Sequence, residues 1–302
     1  MTAAVLPTDS FNVVVLAAVF VLIALGLHFT FGMLNVVNLM HGEFLLIGAY
    51  TAFQLQEWTG SVVLGMLLAP LVAAAIGVVL ERGILRFLYE RPLDSLLATF
   101  GLSVIIRQLV QVQYSANPRT VDDPIGGSFV LAGFNIPWWR LVVVVSTVGL
   151  VVAVLGLLNR TGFGLLARAT VRNPGLAETM GINVGMMRVA LFAIGCGLAG
   201  LAGALLGPLN TLNPQFGLLF LVNSFLVVIL GGQGSLRGLV AAGILLGGSL
   251  GILQFNISTV FAQIVVLIIA IVALRMRPIV AGRIGEWRDR RPAVEVKTPS
   301  RK

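Results

Sequence analysis

The chain has 302 residues, 58% of them hydrophobic and 11% charged, with a mean hydropathy of +0.99 and a formal net charge of +8. A soluble domain carries roughly a quarter charged residues, so this composition excludes a water-soluble globular protein and makes lipid the main solvent. Nor does the charge point to nucleic acid. From Arg275 onward nine basic residues stand against three acidic ones, and a basic cluster directly after a membrane helix is a membrane-surface anchor.

Apolar runs fall near 11–33, 35–56, 61–80, 94–113, 141–158, 188–207, 218–231, 238–255 and 259–275. At about 20 apolar residues per crossing, they predict an all-α polytopic membrane protein of eight or nine transmembrane or re-entrant helices. The membrane-spanning body is expected over 1–275 and a basic tail over 276–302. The first run is long and has no basic residue before it, so it reads as an uncleaved helix rather than a signal peptide. The count falls to eight if 35–56 or 218–231 is re-entrant.

The second run is the unusual one. Phe31–Tyr50 carries Asn35, Asn38 and the triplet His41-Gly42-Glu43 between almost wholly apolar flanks. An ionised side chain at mid-bilayer costs roughly 2.5–3.5 kcal/mol on insertion scales and marks function by default, so Asn38, His41 and Glu43 are expected to line a solute pathway. On a continuing helix Asn38 and His41, three residues apart, would share a face. The competing reading puts all three at a membrane edge, where they satisfy helix ends.

Basic residues then sort by side. Arg82, Arg86 and Arg91 cluster in one loop, Arg160, Arg168, Arg172 and Arg188 in another, and Arg237 lies in a turn. Segment 114–140 mixes Arg119 and Arg140 with Asp122 and Asp123 and has no positive bias. The positive-inside rule places 81–93, 159–187, 232–237 and the tail in the cytoplasm, with the N-terminus outside.

Loop 159–187 is far longer than the usual 4–6 residues. Asn173-Pro174 marks a helix start and Gly181 a helix stop. This predicts a short helix, Pro174–Met180, outside the membrane with Ala177 and Glu178 exposed, able to dock into a partner's groove. Further on, Gly195, Gly197 and Gly200 match the GxGxxG spacing of dinucleotide sites. They lie inside an apolar helix without the strand that motif needs, and with Gly203 and Gly207 they form a stripe for close helix packing. The stretch Gly231-Gly232-Gln233-Gly234 reads in two ways. It is a second broken helix lining the pathway with Gly231, Gly232 and Gly234, or a tight cytoplasmic turn.

No catalytic, metal or cofactor constellation is expected. The only lysines, Lys297 and Lys302, lie in the tail, so no glycine-rich loop can carry a phosphate-binding lysine. His28 and His41 have no second ligand at metal spacing, and Cys196 is a lone thiol in an apolar run. ATP hydrolysis, if it drives this chain, belongs to another polypeptide.

Asn38-Leu39-Met40-His41-Gly42-Glu43-Phe44 resembles the N-x-x-HGE signature of the inner-membrane permeases of branched-chain amino-acid and urea ABC importers. Thr161–Asn183, with Gly164, Arg168-Ala169, Asn173, Ala177 and Gly181-Ile182-Asn183, is similar to the same family's cytoplasmic loop, and Phe225–Gly238 to its GGxG segment. The likeness runs over nearly the whole chain. It implies a coupling helix around Ala177–Gly181, with Arg168, Asn173, Ala177, Glu178 and Gly181 as ATPase-coupling residues. The general importer pattern there begins Glu-Ala-Ala; this chain has Gly175-Leu176-Ala177, so only the last alanine matches. The resemblance also implies a homologous second permease subunit, two cytoplasmic ATPase subunits and an extracytoplasmic solute-binding protein. Arg91–Gly101 resembles the urea-type branch more than the amino-acid branch, and both substrates stay open. A proton-coupled carrier using His41 or Glu43, or a passive channel, are the rival classes.

Overall fold

The computed structural model describes residues 6–289 apart from Asn35, Glu90, Ala132, Gly133 and Asn256; its side chains run from 11 to 276, Leu131 and Phe134 also excepted. The basic side chains from Arg277 onward thus lie outside it. Among the described residues, nine long helices answer the nine apolar runs. They are α1 (Leu6–Leu27), α2 (His41–Thr59), α3 (Val62–Gly83), α4 (Pro92–Tyr114) and α5 (Trp138–Arg160) in the first half. Two short helices, α6 (Gly162–Arg172) and α7 (Pro174–Thr179), precede α8 (Val184–Leu206), α9 (Phe216–Gly231), α10 (Leu236–Leu253) and α11 (Thr259–Asp289). The protein is all-α, with one addition that the sequence reading did not foresee. Segment 114–140 holds a two-stranded antiparallel hairpin, β1 (Ser128–Leu131) and β2 (Phe134–Pro137).

Seven of these helices are long and apolar enough to cross a membrane, and α9 is a shorter apolar one. The two that fall short are the two whose sequence runs looked capable of re-entry. α2 has the length but carries His41, Glu43, Gln54, Gln56 and Glu57. It survives at membrane depth because it faces protein: residues from His41 to Phe53 are nearly all buried, and polar groups are tolerated there when other helices surround them.

Helix starts follow local chemistry. Ser61, Thr161, Asn173, Asn183 and Ser235 each accept a backbone N–H at the start of α3, α6, α7, α8 and α10, which is the usual N-cap role of Ser, Thr and Asn. α8 is the hub, packed on both α2 and α3, while α1 packs along α10. The glycine stripe explains how the backbones come so close. A Cβ on Gly195 would lie 2.8 Å from the Gly26 carbonyl oxygen of α1, and one on Gly200 would lie 2.5 Å from Ala73 Cβ of α3. In lipid such close approach is the main source of helix association. The GxGxxG spacing is therefore a packing device.

On the face away from α6 and α7, the connections are pinned by polar contacts. Arg119 and Leu212 exchange backbone hydrogen bonds of 2.9 and 2.8 Å. Gln56 donates to Asp122 Oδ2 at 3.0 Å and accepts from the Asp122 N–H at 2.9 Å.

Candidate functional site

The polar break begins as α1 runs into a π-helical turn, His28–Met33, a form found mostly as single turns at functional sites. Residues 36–38 are not helical, and α2 starts only at His41. Asn38 and His41 consequently do not share a helix face, contrary to the sequence expectation. Asn38 turns back on itself instead: its Oδ1 accepts from the Met40 N–H at 3.1 Å and its carbonyl accepts from the His41 N–H at 3.2 Å. These bonds satisfy backbone donors at the head of α2 that would otherwise be orphaned.

The depth of this helix start follows from its partners. His41 Nε2 lies 3.1 Å from the Ile23 carbonyl. A carbonyl only accepts, so Nε2 carries the proton. Ile23 sits ten residues before the end of the π-turn, about 15 Å back along α1 at 1.5 Å per residue. The break therefore climbs back into the bundle, and α2 begins level with Ile23, about halfway along the first apolar span Phe11–Met33. Ser224 of α9 donates to the same Ile23 carbonyl at 3.4 Å, besides Phe220 O at 2.8 Å. Gly42 and Gly217 make the crossing of α2 with α9 possible, since a Cβ on Gly42 would stand 2.5 Å from Gly217 O.

α4 closes the node. Thr99 accepts the Leu39 N–H at 3.2 Å and lies 3.3 Å from the Val37 carbonyl, so one hydroxyl ties the break to α4. Two turns further along, Arg107 Nη2 donates to Glu43 Oε1 at 2.8 Å and to Ser103 Oγ at 3.2 Å. Sequence reasoning missed Arg107. The signal was present, because a lone arginine deep in the apolar run 94–113 must find a partner. Asn38, His41 and Glu43 are 0%, 0% and 1% exposed. They are enclosed, and the arrangement neutralises the node's only carboxylate and fixes the break against α1, α4 and α9.

The second glycine stretch is the tight turn of its two readings. α9 ends at Gly231, Gly232 and Gly234 have φ of 91° and 75°, and Ser235 caps α10. The two breaks nevertheless adjoin: a Cβ on Gly234 would lie 3.8 Å from Gly32 O.

In the loop, α7 has the predicted boundaries within a residue. Asn173 Oδ1 accepts the Leu176 N–H at 3.0 Å, and Gly181 stops the helix at φ 80°. The expectation that Ala177 is exposed is wrong. Ala177 is 2% exposed, and the Ile182 N–H of the chain returning to α8 folds back onto its carbonyl at 3.0 Å. Glu178 is exposed, and the outer surface is formed by Leu176 and Met180, 58% and 72% exposed. The adjoining α6 was not foreseen, because its glycines read as loop. Gly164 lets α6 press against the end of α5, where Arg168 Nη1 donates to the Leu158 carbonyl. Arg168 thus caps α5.

Residues 10–274 match the family described as branched-chain amino acid transport system, permease component. The chain belongs to that family. Three relatives illustrate the breadth of the match. A high-affinity branched-chain amino acid transport system permease protein, LivH of Salmonella typhimurium, is 26% identical over 302 residues, covering 94% of this chain and 96% of the relative. LivH of Escherichia coli is 27% identical at the same coverage. A probable branched-chain amino acid transport permease protein of Methanocaldococcus jannaschii is 28% identical over 85% of this chain and 86% of its own. No solved structure matches.

The permease is thus a membrane subunit of an ABC-type transport system. Its loop end holds a buried acid as well. Glu81 of α3 is 1% exposed and accepts from Tyr89 Oη at 3.0 Å, while the Arg188 guanidinium stacks 4.8 Å from the Tyr89 ring centre. Burial, helped by the Glu81 carboxylate, holds the Tyr89 phenol above its usual range, so it stays a donor.

Proposed function

We propose that the permease forms half of a translocation pathway that imports a branched-chain aliphatic amino acid. Its partners in this reading are a homologous second permease, two cytoplasmic ATPase subunits docked at α6–α7, and an extracytoplasmic solute-binding protein. In this reading the N-terminus lies outside and α6–α7 in the cytoplasm, supported by the arginine excess of 159–187. One observation carries the reading. The break is held halfway along α1 by enclosed polar residues whose only carboxylate is paired with Arg107, so the node carries no unpaired charge. A proton-coupled carrier would need His41 or Glu43 to meet water, and in this arrangement they are 0% and 1% exposed.

The cavity between α1, α9, α10 and α11, about 520 Å³ in volume, supports an aliphatic solute. It is lined mainly by Leu, Ile, Val and Phe, with amides from Asn210, Asn223, Gln254 and Gln263; mostly apolar walls with a few polar groups are the usual make-up of a ligand site. Urea is the second reading, favoured by the likeness of Arg91–Gly101 to the urea-type branch. No residue of that segment lines this cavity.

Docking is tested at the exposed residues. Met180→Glu places a charge on the outer face of α7 and is expected to abolish co-purification of the ATPase subunits while leaving the permease folded in the membrane. Retained ATPase would move the contact elsewhere. Excess unlabelled leucine, and not urea, should suppress uptake of labelled leucine; suppression by urea alone would reverse the substrate assignment.

A further inference from the structure

Beside the two glycine breaks lies a cavity of about 530 Å³ with a different character. Its walls are the break (Gly32–Leu34), the end of α6 and start of α7, the 233–234 turn and the first turns of α8. Three guanidiniums line it, from Arg168, Arg172 and Arg188, and no carboxylate does. Among the described residues none of the three is in an ion pair; the pairs found are Arg91–Asp94 and Arg107–Glu43. Thr170 lines it too. It is 2% exposed, yet its hydroxyl has no hydrogen-bond partner. A buried hydroxyl without a partner is costly. Arg168 spends one donor on the Leu158 carbonyl and Arg188 stacks on Tyr89, which leaves each guanidinium further N–H donors, and like charges lining one cavity favour an anion between them.

We propose that this cavity binds a phosphate-bearing anion. Guanidiniums present forked donors that match phosphate oxygens, Thr170 would give the missing hydroxyl donor, and the volume exceeds a bare ion and suits a headgroup or a small phosphorylated metabolite. The same chemistry admits two sources, a soluble phosphate and an anionic lipid headgroup. Occupancy would tie the break to α6–α8. On the importer reading above, these are the parts that must shift during a cycle, so the anion would hold the resting arrangement. Binding itself does not depend on that reading.

The test measures binding to the full-length purified permease, apart from transport. In lipid-free detergent at matched ionic strength, pyrophosphate is titrated while the melting temperature is followed. In nanodiscs, retention of phosphatidylglycerol is compared with that of phosphatidylcholine. Saturable stabilisation by pyrophosphate identifies a soluble anion; selective retention of phosphatidylglycerol without it identifies a lipid headgroup. Arg172→Gln should weaken either by about tenfold or more, the value of one charge-assisted hydrogen bond, and Thr170→Val should weaken it without lowering the melting temperature of the unliganded protein. Arg160→Gln, which removes an exposed charge outside the cavity, should change nothing. The proposal is overturned if neither probe binds saturably, or if Arg172→Gln and Arg160→Gln bind alike.

Discussion

Replacing Glu43 by Leu is expected to do more damage than replacing Arg107 by Met, and replacing both should recover most of the loss. The ion pair sits 2.8 Å apart inside the bundle, with Glu43 1% and Arg107 17% exposed at the side chain. Removing one partner from a buried pair costs roughly 3–5 kcal/mol, because the survivor is left charged without compensation. The two survivors differ. A carboxyl can take up a proton and become neutral, whereas a guanidinium cannot lose one. Glu43→Leu therefore strands a permanent cation inside the bundle, while Arg107→Met leaves an acid that can adapt. Two well-packed apolar side chains in place of the pair are often neutral or stabilising. Thermal unfolding in detergent, with membrane abundance as a second reading, measures the order: wild type and double variant highest, Arg107→Met below, Glu43→Leu lowest. If both single variants melt with the wild type, the pair does not hold the break.

The second large effect lies in backbone contact. Gly48 of α2 and Gly200 of α8 touch so closely that a Cβ on either would overlap neighbouring atoms, and a Cβ on Gly203 would overlap Leu45 of α2. Gly48→Val is expected to prevent α2 from seating on α8, at a cost at or above the roughly 1–3 kcal/mol of ordinary overpacking. The obstacle is backbone, which cannot rotate aside. Gly101→Ala in α4 is the control. Nothing lies within 4 Å of its Cβ position, and removing a mid-helix glycine gains about 0.5–1 kcal/mol. Equal yields of folded protein from both variants would show that α2 and α8 are not packed in this way.

What the sequence made legible was whatever lipid and helix ends impose locally. Nine apolar runs became nine long helices because each had to satisfy its own backbone. Asn173-Pro174 and Gly181 bounded α7 because capping is decided within a few residues. Tertiary placement was harder. Ala177 is buried where the chain returning to α8 folds back onto its carbonyl, and the head of α2 is tied at Leu39 to Thr99 and at His41 to the Ile23 carbonyl, contacts between residues far apart in sequence. Arg107 was legible in principle, yet its meaning depended on a partner 64 positions away. The family likeness read from Asn38–Phe44 and the loop is matched by the family assignment over 10–274; it did not carry the substrate.

The central claim is that this chain moves an aliphatic amino acid only when ATPase subunits work on it. Uptake of labelled leucine into proteoliposomes holding the permease pair, ATPase subunits and binding protein tests it most directly. Leucine should accumulate on ATP addition, persist when a protonophore collapses the proton gradient, and stop when the ATPase subunits are omitted. Uptake that continues without ATPase and vanishes with the proton gradient would contradict the account.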